Sequence, residues 1–163
     1  MVLLPHLLLT VIQAPAPPAH PERPAVEVPL RAYFRYHQTG DPTGLAEAFH
    51  PDALLQWAQE GQRRTLGQAA WQRSAADKRA KAGGASQPKV ICEIAWIEVA
   101  GDAAVAKVLL DYPTFRFIDY MHLLKLKEGW KIVDKIYHRE EHPRSRLSGS
   151  DQTASSPQRT DLE

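Results

Sequence analysis

The stretch Phe115-Arg116-Phe117-Ile118-Asp119-Tyr120-Met121-His122-Leu123-Leu124-Lys125-Leu126-Lys127, then Glu128-Gly129, then Trp130-Lys131-Ile132-Val133-Asp134-Lys135-Ile136-Tyr137-His138, decides the fold. Two runs rich in β-branched and aromatic side chains, parted by a glycine-containing turn, read as paired antiparallel strands. In the first run Phe115, Phe117, Met121 and Leu123 alternate with Ile118, Tyr120, Leu124 and Leu126, so both faces are apolar. An antiparallel sheet with one wet face alternates apolar with polar instead. Both faces are therefore expected to be covered, and a second copy of the chain is the natural cover for the outer one.

Working outward, Gly101-Asp102 is a hairpin signal between the β-rich runs Val90 to Val99 and Ala103 to Tyr112, and Pro113 interrupts before the long strand. Upstream the period changes. Val26, Leu30, Tyr33, Phe34 and His37 recur at helical spacing, and Gly40 ends that first helix. Asp41 is expected to cap a second helix with Pro42 at its first position, carrying Leu45 and Phe49 until His50-Pro51 stops it. Ala53 to Gln59 reads as a strand. Thr65 and Gln68 match a capping box opening a third helix, through Trp71 and Ala75, that closes at Gly83-Gly84. Helices first and a meander last predict an α+β domain over residues 26–142, a curved antiparallel sheet packed by three N-terminal helices.

The flanks read differently. Residues 1–25 are a possible signal segment followed by a proline-rich linker. The apolar Leu3, Leu4, Leu7, Leu8, Leu9, Val11 and Ile12 precede Ala14-Pro15-Ala16, while no Lys or Arg precedes them and Pro5 interrupts. Export to the periplasm or medium and residence in the cytoplasm both stay open, and the run is too short to span a bilayer. Residues 143–163, rich in Ser, Thr, Gln, Asp and Arg, are expected to be a disordered tail.

Twenty basic residues nearly balance nineteen acidic ones, so the basic surplus of a nucleic-acid binder is missing. The single cysteine, Cys92, allows no intrachain disulfide and no cysteine-rich zinc site. Flanked by Ile91 and near Ile94, it reads as an apolar filler rather than a nucleophile. No phosphate-binding glycine loop and no G-x-S-x-G is present, and no cofactor is implied. His138-Arg139-Glu140-Glu141-His142 fits the letters of an inverted zinc-protease motif, but it ends a strand before Pro143, so no metal site is expected.

Several phrases resemble the nuclear transport factor 2-like superfamily, and within it the bacterial lumazine-binding family. They are Tyr36-His37-Gln38-Thr39-Gly40-Asp41, Ala48-Phe49-His50-Pro51-Asp52-Ala53, Gly101 to Val108, Phe117 to Lys125 and Gly129 to Lys135. The resemblance implies a cone-shaped half-barrel with a largely apolar internal pocket and a homodimer through the outer sheet face. Its implication for function is broad, because this fold hosts enzymes, adaptors and binding proteins.

The same resemblance sets Tyr33 and Asp119 where ketosteroid isomerase-like relatives donate hydrogen bonds to an oxyanion, and Trp57 where they carry an Asp general base. Tryptophan cannot accept that proton. Asp119, on the parity of Phe117 and Met121, is costly to bury unless paired, so Lys135, Arg79 or a backbone N–H is its expected structural partner. Three functions follow as expectations. The first is a pocket protein for a small apolar or aromatic ligand, lined by Tyr33, His37, Phe49, Trp57, Phe117, Asp119 and Met121. The second is a dehydratase or isomerase using Asp119 with Tyr33, His122 or His50. The third is a protein-interaction domain.

Overall fold

The computed structural model describes residues 20–83 and 89–142. Its helices are α1 (Arg23–Thr39), α2 (Thr43–Ala48) and α3 (Gln68–Ala82). Its strands are β1 (Phe49–Gln59), β2 (Gln62–Gly67), β3 (Ile91–Ala100), β4 (Ala103–Asp111), β5 (Phe115–Leu126) and β6 (Gly129–Glu141). The strands make one curved, unclosed sheet in the order β2-β1-β6-β5-β4-β3. Every pairing is antiparallel except β1 with β6, so the sheet is mixed rather than wholly antiparallel. The meander from β3 to β6 crosses the sheet and brings its last strand back alongside β1.

The α+β class and the helix-first order agree with the sequence pattern, but three local readings are corrected. Strand β2 was hidden because Gln62-Arg63-Arg64-Thr65 has no apolar alternation; it is an edge strand zipped to β1 from Gln59↔Gln62 onward. Thr65 therefore lies in a strand, and α3 opens at Gln68 with no side-chain cap. Phe49 is the first residue of β1, not the last turn of α2, which stops at Ala48. Helix α1 begins at Arg23, inside the stretch read as a linker: Pro24 sits in its first turn, where a missing N–H leaves no bond unmade. The signal-like residues before 20 and the tail after 142 lie outside the described residues.

The core lies between the helices and the inner sheet face. Val26, Leu30, Tyr33 and Phe34 of α1 and Leu45 of α2 pack over Val108 and Leu110 of β4 and Met121 and Leu123 of β5. Helices α1 and α2 touch at Gly44, where a Cβ would come 2.6 Å from the Ala32 carbonyl oxygen. Gly40 makes the turn between them at φ 70°, its N–H donating to the Tyr36 carbonyl. The start of α1 is tied to the sheet through Glu22, which accepts from Trp130 Nε1 at 3.0 Å and pairs with Lys125 at 3.0 Å.

One irregularity shapes the interior. His122 pairs with Asp134 and Leu123 with Ile132, leaving Val133 as an extra residue in β6. Such a bulge reverses which residues point inward. Trp130 and Ile132 face the helices, and beyond the bulge so do Lys135 and Tyr137, opposite Met121 and Asp119 of β5.

Candidate functional site

Three polar side chains meet in this apolar interior. Tyr33 comes from the buried face of α1, Asp119 from the inward face of β5, and Lys135 from β6 beyond the bulge. Tyr33 and Asp119 are wholly buried and Lys135 is 4% exposed. The Tyr33 hydroxyl donates to Asp119 Oδ2 at 2.6 Å, and Lys135 Nζ donates to the Tyr33 oxygen at 2.9 Å and to the same Oδ2 at 3.3 Å. Burial, reinforced by the carboxylate beside it, holds the Tyr33 phenol well above its ordinary pKa, so Tyr33 stays a donor. Burial also pulls the Lys135 ammonium below its ordinary value, against the opposing pull of Asp119. The ammonium lies 4.7 Å from the Tyr137 ring centroid, 5.1 Å from Tyr33 and 5.3 Å from Trp71, an aromatic enclosure for a cation.

A second polar pair adjoins the first. His37, one turn along α1, packs edge-on against Tyr33 with ring centroids 4.5 Å apart, and its Nδ1 lies 2.6 Å from the Tyr112 hydroxyl. Burial, then the Lys135 charge, pushes the His37 pKa well below its ordinary value, which makes the imidazole neutral at pH 7. Two buried polar atoms here have no protein partner: His37 Nε2 and Asp119 Oδ1.

Around this floor stand half-buried rings. Trp57 and Phe117 both pack on Tyr137, at centroid distances of 5.5 and 5.6 Å, and Tyr112 stacks on Phe115 at 4.7 Å. Phe49 lies 5.7 Å from Tyr33 and 5.4 Å from Trp71. A cavity of about 240 Å³ opens between α1 and α3 beside His37 and Tyr112, with Lys78 and Arg79 at its edge. The fold thus brings together Tyr33, His37, Phe49 and Asp119, places Trp57 and Phe117 on the neighbouring aromatic wall, and sets Met121 in the closed floor of the core.

The other candidates stand apart. His122 lies on the outer sheet face, exposed, 3.4 Å from Asp134 Oδ2, because β5 alternates and Asp119 points inward. His50 turns back to its own strand, its Nδ1 accepting the Asp52 N–H at 3.2 Å near the start of β1. Neither joins Asp119, so the His-Asp-Tyr set expected for a dehydratase is not assembled from them. His142 pairs with Asp111 at 2.9 Å at the end of the extended β6. Burial raises the Cys92 thiol to about 11, which keeps it protonated at neutral pH.

Lys135, Tyr112, Trp71 and Tyr137 were not read as site residues from sequence. Simple alternation from Trp130 puts Lys135 on the outer face, and only the adjacent apolar pair Ile132-Val133 hints at a shifted register.

A curved open sheet with three helices across its inner face is the architecture of the nuclear transport factor 2-like class. The chain belongs to the family described as "Putative lumazine-binding", whose model matches residues 21–138. Among solved structures it is similar to a nuclear transport factor 2-like protein of unknown function from Shewanella baltica OS155. The identity is 25% and the TM-score 0.62, covering 75% of this chain and 94% of that one. A second such protein, from Silicibacter pomeroyi DSS-3, has 23% identity and a TM-score of 0.61, covering 73% and 96%. A ketosteroid isomerase-like protein from Erwinia carotovora atroseptica SCRI1043 shares the fold at 12% identity and a TM-score of 0.57, covering 74% and 98%. No curated protein matches the chain.

Proposed function

We propose that this protein binds a small, planar, aromatic or largely apolar molecule between the aromatic wall and the Tyr33–Asp119–Lys135 floor, and does not turn it over. The observation that carries the reading is the pair of buried, unpartnered atoms, Asp119 Oδ1 and His37 Nε2, behind half-buried aromatic rings. Buried polar atoms without partners are rare in folded proteins, and a ligand offering them hydrogen bonds removes their cost. Aromatic lining with a few convergent polar groups is the usual make-up of a small-molecule site. The family's name points to the same ligand chemistry, a flat heteroaromatic ring.

Isomerisation or dehydration is the weaker reading. Tyr33 spends its one proton on Asp119, and Lys135 faces the same oxygen, so the oxyanion donors of an isomerase are engaged with each other. Trp57 offers no base.

The outer sheet face supports self-association as part of the same proposal. Val28, Leu54, Ile91, Trp96, Leu124 and Ile136 are the exposed large apolar residues among those described, and by register all but Val28 lie on that face. An apolar face of this kind suits a second copy of the chain better than water. Docking of another protein there is the third function, and a dimer in solution would displace it.

Trp57 and Trp71 supply the assay. Titrating the protein with lumazine, and with a non-aromatic sugar as control, should quench tryptophan fluorescence saturably for lumazine alone. Product analysis after prolonged incubation should return lumazine unchanged. Linear quenching without saturation for every flat aromatic tried, lumazine included, would remove the pocket reading.

A further inference from the structure

Lys135 is a buried amine that simple ligand binding leaves unused. Its Nζ is bonded to Tyr33 and Asp119 and bounded by three aromatic rings. We propose that Lys135 forms a reversible imine with an aromatic or unsaturated aldehyde or ketone held against the aromatic wall. The inference rests on the proposed pocket and names the ligand class it takes.

Three features of the site match what imine formation needs. The first is a proton acceptor beside the amine: Asp119 Oδ2 lies 3.3 Å from Nζ, and Oδ1 is free of partners. The second is a hydroxyl that can pass protons without becoming charged, which Tyr33 supplies between the two. The third is a buried, aromatic-walled site, which favours the neutral amine and slows hydrolysis of the product.

The step balances without any redox partner. Asp119 takes one proton from the ammonium, and the freed nitrogen lone pair attacks the carbonyl carbon. The carbonyl π pair moves to oxygen, which takes a second proton from the same nitrogen, passed through the Tyr33 hydroxyl, to become a hydroxyl. The new N–C bond then doubles as the C–O bond breaks, and the hydroxyl leaves as water with the proton held by Asp119. Overall, ammonium and carbonyl give protonated imine and one water. The nitrogen is positive before and after the reaction and neutral only in between, so the pairing with Asp119 is restored in the product. A buried ion pair therefore opposes the net reaction less than it would one that left the lysine neutral.

The test uses the full chain with cinnamaldehyde and sodium cyanoborohydride, followed by peptide mass mapping. Cinnamyl alcohol, which has the same ring and no carbonyl, is titrated in parallel by tryptophan fluorescence. The expected result is a reduced cinnamyl adduct on Lys135, formed faster than on the exposed Lys78 and Lys125. The advantage should be about tenfold for each unit by which desolvation lowers the ammonium. K135R should lose that adduct alone and keep the labelling of the other lysines. Mapping on the unmutated protein decides the matter even if K135R fails to fold. Binding of cinnamyl alcohol with Lys135 unlabelled would overturn the imine and leave the pocket standing. Failure of both alcohol and aldehyde to engage the interior would overturn the pocket and the imine together.

Discussion

Replacing Asp119 with asparagine removes one charge and changes almost no volume, so its effect isolates the ion pair at the centre of the fold. At 3.3 Å from Lys135 Nζ, the carboxylate contributes a gross attraction of about 5 kcal/mol at an effective dielectric of about 20. Asp119→Asn can keep an amide oxygen toward Lys135 but leaves that ammonium, 4% exposed, without a counter-charge. Breaking one half of such a pair costs roughly 3–5 kcal/mol, because the charge left behind must stay desolvated or lose its proton. For a domain of this size that is a fall in Tm of roughly 10–20 °C. The double variant Asp119→Asn/Lys135→Met, which leaves no buried charge, should recover to within about 1 kcal/mol of the unmutated protein. Urea unfolding of the two single variants and the double gives the coupling directly. If Asp119→Asn alone loses less than about 1 kcal/mol, the pair is solvated or unimportant, and the account of the interior fails.

Further outcomes follow from the same structure. Deleting Val133 takes out only the extra residue and leaves Ile132 opposite Leu123 and Asp134 opposite His122, so Lys135 and Tyr137 still face inward; it should cost less than Asp119→Asn in the same unfolding assay. His37 has a folded-state pKa well below that of the unfolded chain, so the unfolded state binds the extra proton; stability should be full above about pH 6.5 and fall as the pH drops below it, by up to about 1.4 kcal/mol per unit. His37→Asn should flatten that slope in thermal melts at pH 5 and pH 7, and an unchanged slope would show that His37 is not its source. Ile136→Lys, at an exposed outer-face position, should keep the fold by circular dichroism and shift sedimentation from dimer to monomer; a monomeric parent at tens of micromolar would dismiss the outer-face interface. Cys92, its thiol raised to about 11, should react with iodoacetamide at neutral pH far more slowly than free cysteine, and labelling at the free-thiol rate would contradict its burial.

Much of the fold was legible because hydrophobic period carries it. The switch from helical spacing at Val26, Leu30, Tyr33 and His37 to strand runs after Val90 marks the helix-first order, and Gly101-Asp102 marks a hairpin. Strand β2 was not legible, since Gln62-Arg63-Arg64-Thr65 owes its conformation to pairing with β1 rather than to its own pattern. The parallel β1–β6 pairing was also hidden, because it joins segments from opposite ends of the domain. At the site, Asp119 stood out as an acid in an apolar strand, and Lys135 was among its expected partners. Its membership in a cluster with Tyr33 depended on the extra residue at Val133, and a one-residue register shift leaves almost no trace in composition. Tyr137 follows Lys135 through the same shift, and Tyr112 lies just past the end of β4, where strand alternation assigns no face.

The most direct test of the central claim is the crystal structure of this protein grown with saturating lumazine, at a resolution that shows ring density. A flat density feature is expected against the wall of Trp57, Phe117 and Tyr137, within hydrogen-bond reach of Asp119 Oδ1 or His37 Nε2. An interior holding only ordered water, with lumazine absent or bound elsewhere on the surface, would contradict it.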